Sequence, residues 1–559
     1  MRPAGRAETD SLYFDYPHFP FVRPAELEGG PTRHRVAIVG AGPVGVTAAL
    51  ELARHGVDSV VLDDKDTVND GSRAICISRH SLEILQQLGV DGPFVEKGLG
   101  WTRGRTYFRD REIYRFEMPH TQQERFLPMY NLQQQYIEKF LIDKAAESER
   151  IELRWRSAVT GVRQEEDGVT LEVATPEGDY RLECDYLLAA DGARSMVRKA
   201  LGLALHGEAY EGRYVIADIR MHSDFPTERR AFFHSAALPD STILVHKQPD
   251  DIWRIDYQLS PDEDPEAAVE EGNIRDRVGQ IVREVLGERD DWELEWWSLY
   301  KAYTLALDDY RHGRVLFIGD SAHLVPIFGV RGLNNGLADA ANAGWKLAWV
   351  LKEQASERLL DSYTPERRGA TLDVFANAGK STRFMTPPSR GYRLMRDAAL
   401  SLALHNDYAS GFANPRQVTP YTYAESPLTL ADEAGFNAGP MPGAPLFNRR
   451  LSEDGFLLDY LGSGFTLLHF SHDGSIDPAL AECLNALQAA GQRIDVLTVA
   501  RQPGSDNTLA DRNGNLFAAY GADPGSAYLI RPDRHVAARW KRPEPGDLEA
   551  ALATALGGN

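Results

Sequence analysis

Residues 35–64 read RVAIVGAGPVGVTAALELARHGVDSVVLDD. A short run rich in β-branched residues is followed by a glycine turn. A stretch with helical spacing then ends at Gly56, a natural C-cap, and a second short apolar run ends at Asp63 and Asp64. That is a βαβ unit, and its two strands require a parallel sheet. The turn is Gly40-x-Gly42-x-x-Gly45. Gly40 permits the tight turn, Gly42 lets the backbone approach a pyrophosphate, and Gly45 lets the helix pack on the strand. The pyrophosphate sits at the positive helix end, beside Pro43 and Val44. Asp63, 18 positions beyond Gly45, can accept hydrogen bonds from ribose hydroxyls. The stretch therefore predicts dinucleotide binding, without saying which dinucleotide.

Around this core the chain is long and acidic. Its 559 residues allow several domains, and 43% apolar with 26% charged residues is an ordinary globular balance. A net charge of −21 argues against nucleic acid or an anionic membrane as partner. Three scattered cysteines, Cys76, Cys184 and Cys483, provide no zinc spacing and no disulfide framework, so no metal site is expected and a reducing, cytoplasmic setting is. No apolar opening segment and no run of membrane-spanning length is apparent.

Further along, 151–190 reads as strands with a hairpin. RYVIADIRM, RAFFHS, STILVHKQ and DIWRIDYQL alternate like strands of a sheet with one solvated or cavity-lining face. Residues 336–355 read as a helix, and 385–447 is a Pro-, Gly- and Ser-rich connector. From 448 the expected order is strand, helix, strand, hairpin, helix. The aromatic, Pro-rich 11–24 reads as an arm packed on the body or on a partner subunit.

Three separated stretches resemble the FAD-dependent aromatic hydroxylases, the class A flavoprotein monooxygenases to which phenol and para-hydroxybenzoate hydroxylases belong. The first is the glycine motif followed by Gly71-Ser72-Arg73-Ala74. The second is LLAADGARSMVRKALG, with Asp191-Gly192, Arg194, Ser195 and Arg198. The third is GRVLFIGDSAHLVPIFGVRGLNNGLADAANAGWKLA, with Gly319-Asp320, His323, Pro326, Gly332-Leu333-Asn334 and Asp339. The resemblance implies an α/β fold: a Rossmann-type FAD-binding domain, an inserted mixed β-sheet substrate domain and a C-terminal thioredoxin-like domain. The implied division is an arm over 1–34, FAD-binding domain over 35–205 and 306–400 (with interdomain helices), substrate sheet over 206–305, linker over 401–447 and thioredoxin-like domain over 448–559.

The resemblance also implies site residues. Ser72 and Arg73 fall near the FAD phosphates, Gln134 at a glutamine that contacts FAD, Asp191-Gly192 at a motif tied to FAD and NAD(P)H, and Asp320 at the ribityl or ribose hydroxyls. Backbone N–H groups of 332–334 face the flavin pyrimidine edge, where a helix end stabilises negative charge on reduced flavin. Pro326 falls beside the substrate ring. Val330 stands where many members have Gly. His246, Tyr257 and Tyr303 are the candidates for touching substrate. Arg254 and Asp256, two apart on one strand, share a face and read as a structural pair. Some phenol hydroxylases carry an aspartate where this chain has Ala74 and Ile75.

The implied reaction is hydroxylation of a phenolic or related aromatic compound with NAD(P)H and O2, through a flavin C4a-hydroperoxide. NADH and NADPH both remain open. A tailoring monooxygenase acting on a polyketide or antibiotic aromatic shares all three motifs. A flavin-dependent halogenase is a further alternative, but WELEWWSLY lacks that class's tryptophan motif. A homodimer is expected by analogy. Cys483 stands alone in the C-terminal unit, which excludes dithiol chemistry there.

Overall fold

The computed structural model describes residues 11–29, 33–239, 241–326, 329–411, 419–432, 435–451, 455–502 and 508–558. Parts of the arm (1–10 and 30–32) and of the connector (412–418 and 433–434) lie outside the described residues, as do Ile327 and Phe328 of the third motif.

The first sheet grows from the glycine stretch. Strand Arg33–Val39 lies between Ser59–Leu62 and Gly178–Ala189, parallel to both, and Ile151–Arg154 and Val315–Phe317 extend the parallel set on either side. The continuous apolar runs follow from burial on both faces. Helix Pro43–Arg54 and the long helix Gly332–Leu351 cover it, and they approach closely because Gly336 and Gly344 carry no side chain toward Val44 and Glu51.

The second sheet has eight strands among the described residues, with Ile252–Gln258, Thr242–Lys247 and Arg229–Phe233 adjacent near its middle. One face carries Val215, Ala217, Ile243, Val245, Trp253, Ile255 and Tyr257 into a core with Ile274, Val278 and Ile281. The sheet does not end where the sequence reading placed it. Strands Arg103–Phe108 and Arg111–Glu117, assigned above to the first part of the FAD-binding domain, pair onto Arg229–Phe233 and extend it. Pairing there satisfies backbone groups that an edge would leave open.

The C-terminal sheet runs Thr508–Ala510, Ile494–Ala500, Phe465–Ser471, Ala527–Ile530, Val536–Trp540 in spatial order. It docks on the long helix through Phe465, whose ring meets Trp345 and Trp349 edge-on at 6.0 and 5.1 Å. Within the segment read as connector, Arg390–Ala403 is a helix capped by Ser389, which accepts from the Tyr392 N–H. The described part of the arm packs on its own chain: Ser11 and Leu12 donate to Glu295, and Phe19 stacks on Trp155 at 4.4 Å. No helix among the described residues is long and apolar enough to cross a membrane.

Candidate active site

The glycine turn has the geometry a dinucleotide needs. Gly40 sits at φ +108°, and a Cβ there would lie 2.5 Å from the Ala190 carbonyl oxygen. A Cβ on Gly45 would lie 2.0 Å from the Gly40 oxygen, so the helix packs on the turn only because Gly45 carries no side chain. Gly42 differs: a Cβ there would meet no protein atom within 4 Å. It is the N-cap of Pro43–Arg54, Pro43 opens the helix, and no side chain caps the end. Open space at an uncapped helix N-terminus fits a pyrophosphate. Val44 points instead into the packing beneath Gly319 and Gly336.

At the end of the second strand, Asp63 accepts from the Ala41 N–H at 2.7 Å and the Lys65 N–H at 3.0 Å. Burial pushes its carboxyl up to about 6 against these donors. Asp64 beside it is exposed. Asp191 accepts from the Val197 N–H at 2.9 Å, its other oxygen is buried without a partner, and burial raises its carboxyl. Gly192 follows at φ +73° with nothing above it. Arg198 ties this turn to the third motif by donating to the Ser321 and Ala193 carbonyls at 2.9 and 2.7 Å.

The third motif supplies Gly319 at φ +63° and Asp320 after it. Asp320 is reached by solvent yet crowded by protein, which raises its carboxyl, while His323 and Arg73 pull it down. Arg73 is itself exposed, so the structure brings these two residues of distant motifs together at an open surface. Behind them, buried Asp339 accepts from the Gly319 N–H at 3.0 Å, from His323 at 2.7 Å and from Arg367 at 2.6 Å. Burial alone would raise its carboxyl, but Arg367 and His323 outweigh that and hold it below the ordinary range.

Three further residues bond within the protein. The side chain of Ser72 faces inward and accepts from the Gln134 N–H at 3.1 Å. The Gln134 amide accepts from the Ala74 N–H at 3.0 Å and donates to Glu138 at 2.7 Å, so it shapes the arginine loop from behind. Asn334 accepts from the Ser78 N–H and the Ser81 hydroxyl, and donates to the Cys76 and Val330 carbonyls. Its side chain pins the start of the long helix, whose uncapped first turn leaves the backbone N–H groups of 332–334 for a ligand. Val330 adopts φ +59°, a left-handed backbone that glycine takes without strain and a β-branched residue does not.

The substrate candidates separate. His246 lies on the sheet face opposite the Tyr257 core, buried, with Nδ1 unpartnered. Tyr257, expected to touch substrate, instead pairs in register with Ile243 on the other face and is 1% exposed in the core with Trp253, Ile255 and Ile274. The alternation in IWRIDYQ already sets Trp253, Ile255 and Tyr257 on one side and Arg254 and Asp256 on the other. Tyr303 is half-buried and pairs with Ala209. Along its strand it alternates with Tyr300, and it is the Tyr300 hydroxyl that donates to the Val325 carbonyl at 3.0 Å, next to buried Pro326. Arg254 and Asp256 share a face but are not a pair. Arg254 donates to both oxygens of Asp218 at 2.8 Å and also to the carbonyls of Ser72 and Arg73, locking the sheet to the arginine loop. Over this face lies an apolar cluster of Ile75, Cys76, Trp101, Phe116, Met118 and Met129, with Val330 at its edge. Sequence reasoning missed Arg229 and Tyr300 altogether, and read Asp256 only as a partner for Arg254.

Residues 33–378 match the FAD binding domain family. A 3-(3-hydroxy-phenyl)propionate/3-hydroxycinnamic acid hydroxylase of Mycolicibacterium smegmatis is 25% identical over 539 residues, 92% of each chain. A 12-dehydrotetracycline 5-monooxygenase/anhydrotetracycline 6-monooxygenase of Streptomyces rimosus is 29% identical over 564 residues, 94% of this chain and 99% of that one. The chain belongs to the FAD-dependent aromatic hydroxylases. The flavin-dependent monooxygenase PieE, solved with FAD and substrate, shares the fold of this hydroxylase at a TM-score of 0.77 and 23% identity, over 95% of this chain and 100% of that one. FAD is the cofactor of the family, and the residues present fit it: the open glycine turn, two uncapped helix ends, and Arg73 near Asp320 at the surface. When bound, it supplies the activation of O2.

Proposed function

We propose that this hydroxylase uses NAD(P)H and O2 to add a hydroxyl to a phenolic ring, held between the polar face of the second sheet and the cofactor. One observation carries the reading: the apolar cluster from Ile75 to Met129 joins the arginine loop to a buried strand face bearing Arg229, His246 and Asp256. An apolar wall with a few convergent polar groups suits a hydroxylated ring and keeps water from the reacting centre. In this reading Gly40, Gly42, Pro43 and Gly45 cradle the pyrophosphate. Asp63 takes the ribose hydroxyls with Asp64 beside it. Arg73 and Asp320 take phosphate and ribityl oxygens, with Asp191-Gly192 flanking and the backbone of 332–334 at the flavin edge. Pro326 borders the ring.

The test is NAD(P)H oxidation by the purified flavoprotein against a panel of phenols, with H2O2 followed in parallel. Stimulation with little peroxide identifies a substrate. Protein that takes up no FAD, or whose NAD(P)H oxidation no phenol stimulates, refutes the reading. A second reading, tailoring of a fused-ring polyketide, is favoured by the match along nearly the full tetracycline monooxygenase. The panel therefore includes fused-ring phenols beside hydroxyphenylpropionates. We propose further that the C-terminal unit is thioredoxin-like, consistent with its central parallel pair and antiparallel hairpin. The protein is expected to be a cytoplasmic homodimer.

A further inference from the structure

On the side of the second sheet that faces the Ile75–Met129 cluster, three buried side chains carry polar atoms with no hydrogen-bond partner among the described residues: Nε and Nη1 of Arg229, Nδ1 of His246 and Oδ1 of Asp256. The register brings them together. Asp256 lies opposite Leu244 and Arg254 opposite His246 in the neighbouring strand, while Arg230 opposite Val245 sets Arg229 beside His246. Cys76, on the small sheet across from them, interacts electrostatically with Arg229, Arg254 and Asp256 alike. Buried groups are normally satisfied, so several unsatisfied ones on one face mark a place built for a ligand.

The chemistry narrows that ligand. Arg254 directs Nε and Nη2 to Asp218 and its remaining hydrogen bonds to the Ser72 and Arg73 carbonyls, so it makes none to Asp256. Arg229 offers donors only, and Asp256, when ionised, accepts only. A carboxylate would face Asp256 with like charge. A hydroxyl donates to one and accepts from the other. We propose that Asp256, Arg229 and His246 form the subsite for the substrate's ring hydroxyl, Asp256 accepting its proton and Arg229 holding the oxyanion. The phenol O–H bond breaks, its electron pair stays on the phenolate oxygen, and the proton bonds to Asp256. Electron density on the ring rises for oxygen attack. His246 adds a neutral hydrogen bond, since burial, with Arg229 and Arg254, lowers its pKa well below the ordinary value. The groups facing Asp256 are Arg254, Asp218, Arg229 and Cys76. Burial pushes its carboxyl up to about 7, Arg254 and Arg229 draw it down and Asp218 adds to the rise, which suits a proton acceptor near neutrality.

This rests on the hydroxylase reading. The test uses FAD-loaded protein with two probes, 3-(3-hydroxyphenyl)propionate, whose phenol is un-ionised at neutral pH, and 4-nitrophenol, whose phenol ionises far more readily. Asp256→Asn is expected to lower kcat for the first probe roughly 100-fold, to lose the fall in rate below neutrality, and to leave KM and FAD content near wild type. Its deficit shrinks with 4-nitrophenol, which needs no base. Asp256→Glu restores part of the rate, and Arg229→Lys raises KM. Asp256→Asn protein that keeps wild-type kcat and pH profile, or that is equally impaired with both probes, overturns the subsite while the hydroxylase reading stands. Wild-type protein stimulated by no phenol at all overturns the reading beneath it, and the subsite with it.

Discussion

Replacing Arg531 by Met should loosen the C-terminal sheet from the body and weaken FAD retention together. Arg531 is fully buried and donates to both Glu366 oxygens at 2.6 and 3.0 Å and to both Asp533 oxygens at 3.1 and 2.7 Å. Lys346 of the long helix also donates to Glu366 at 2.6 Å, and Asn342 at 2.7 Å. Two cations thus face two carboxylates with no water contact, and the cluster is neutral. Methionine leaves it with one uncompensated negative charge. Breaking a buried pair in this way costs about 3–5 kcal/mol. At roughly 1 °C per kcal/mol for a chain of this length unfolding as one unit, the melting midpoint should fall by about 4 °C. Flavin should be lost in the same transition. Arg367, next in sequence to Glu366, holds both Asp339 and the Tyr423 hydroxyl, and Asp339 receives the Gly319 N–H of the cofactor motif. The assay is thermal unfolding read by tryptophan and by released-flavin fluorescence. Glu366→Gln with Arg531→Met restores neutrality, so the double variant should be less damaged than the sum of the singles, by about 2 kcal/mol. Arg531 and Lys346 outweigh burial and hold Glu366 below the ordinary carboxylate range, and Arg531 and His535 do the same for Asp533. A depressed carboxylate contributes stability above its unfolded pKa and loses it as pH falls through its folded one. Arg531→Met should therefore move acid unfolding to higher pH. A midpoint within about 2 °C of wild type, or strictly additive singles, would refute the role given to this cluster.

The glycine turn offers a sharp contrast. Gly42→Ala meets no protein atom and should fold with a normal melting midpoint but bind FAD on the order of 10-fold more weakly, whereas Gly45→Ala drives a methyl into the Gly40 carbonyl and should fail to fold; equal FAD binding by Gly42→Ala would contradict the pyrophosphate placement. Val330→Gly removes a left-handed β-branched residue and should raise stability by about 1 kcal/mol, read by thermal melting; a lower midpoint would show that its packing on the Ile75–Met129 cluster outweighs the backbone strain and refute this reading. Asp320→Ala should leave the fold intact and abolish FAD retention on gel filtration, and full retention would remove Asp320 from the cofactor site.

What the sequence disclosed and what it hid follow from the range of the interactions involved. The glycine turn is legible because each requirement is local. Gly40 and Gly45 answer to atoms of their own βαβ unit and the strand beside it, so spacing alone carries the geometry. The strand positions of the second sheet were also local, set by alternation. Whether Arg103–Glu117 joins that sheet was not, because it depends on a strand more than a hundred residues away. The substrate face shows the same division most clearly. Alternation in IWRIDYQ and TILVHK was enough to place Tyr257 with Trp253 and Ile255, and choosing Tyr257 as a substrate contact ignored that signal. No local pattern, however, could reveal that Arg254 is taken by Asp218 from the next strand. That tertiary choice is what leaves Asp256 without a partner. The residue that reads in sequence as half of a structural pair therefore keeps an unpartnered carboxylate oxygen beside Arg229, and the proposed chemistry of the site turns on which of two aspartates one arginine selects.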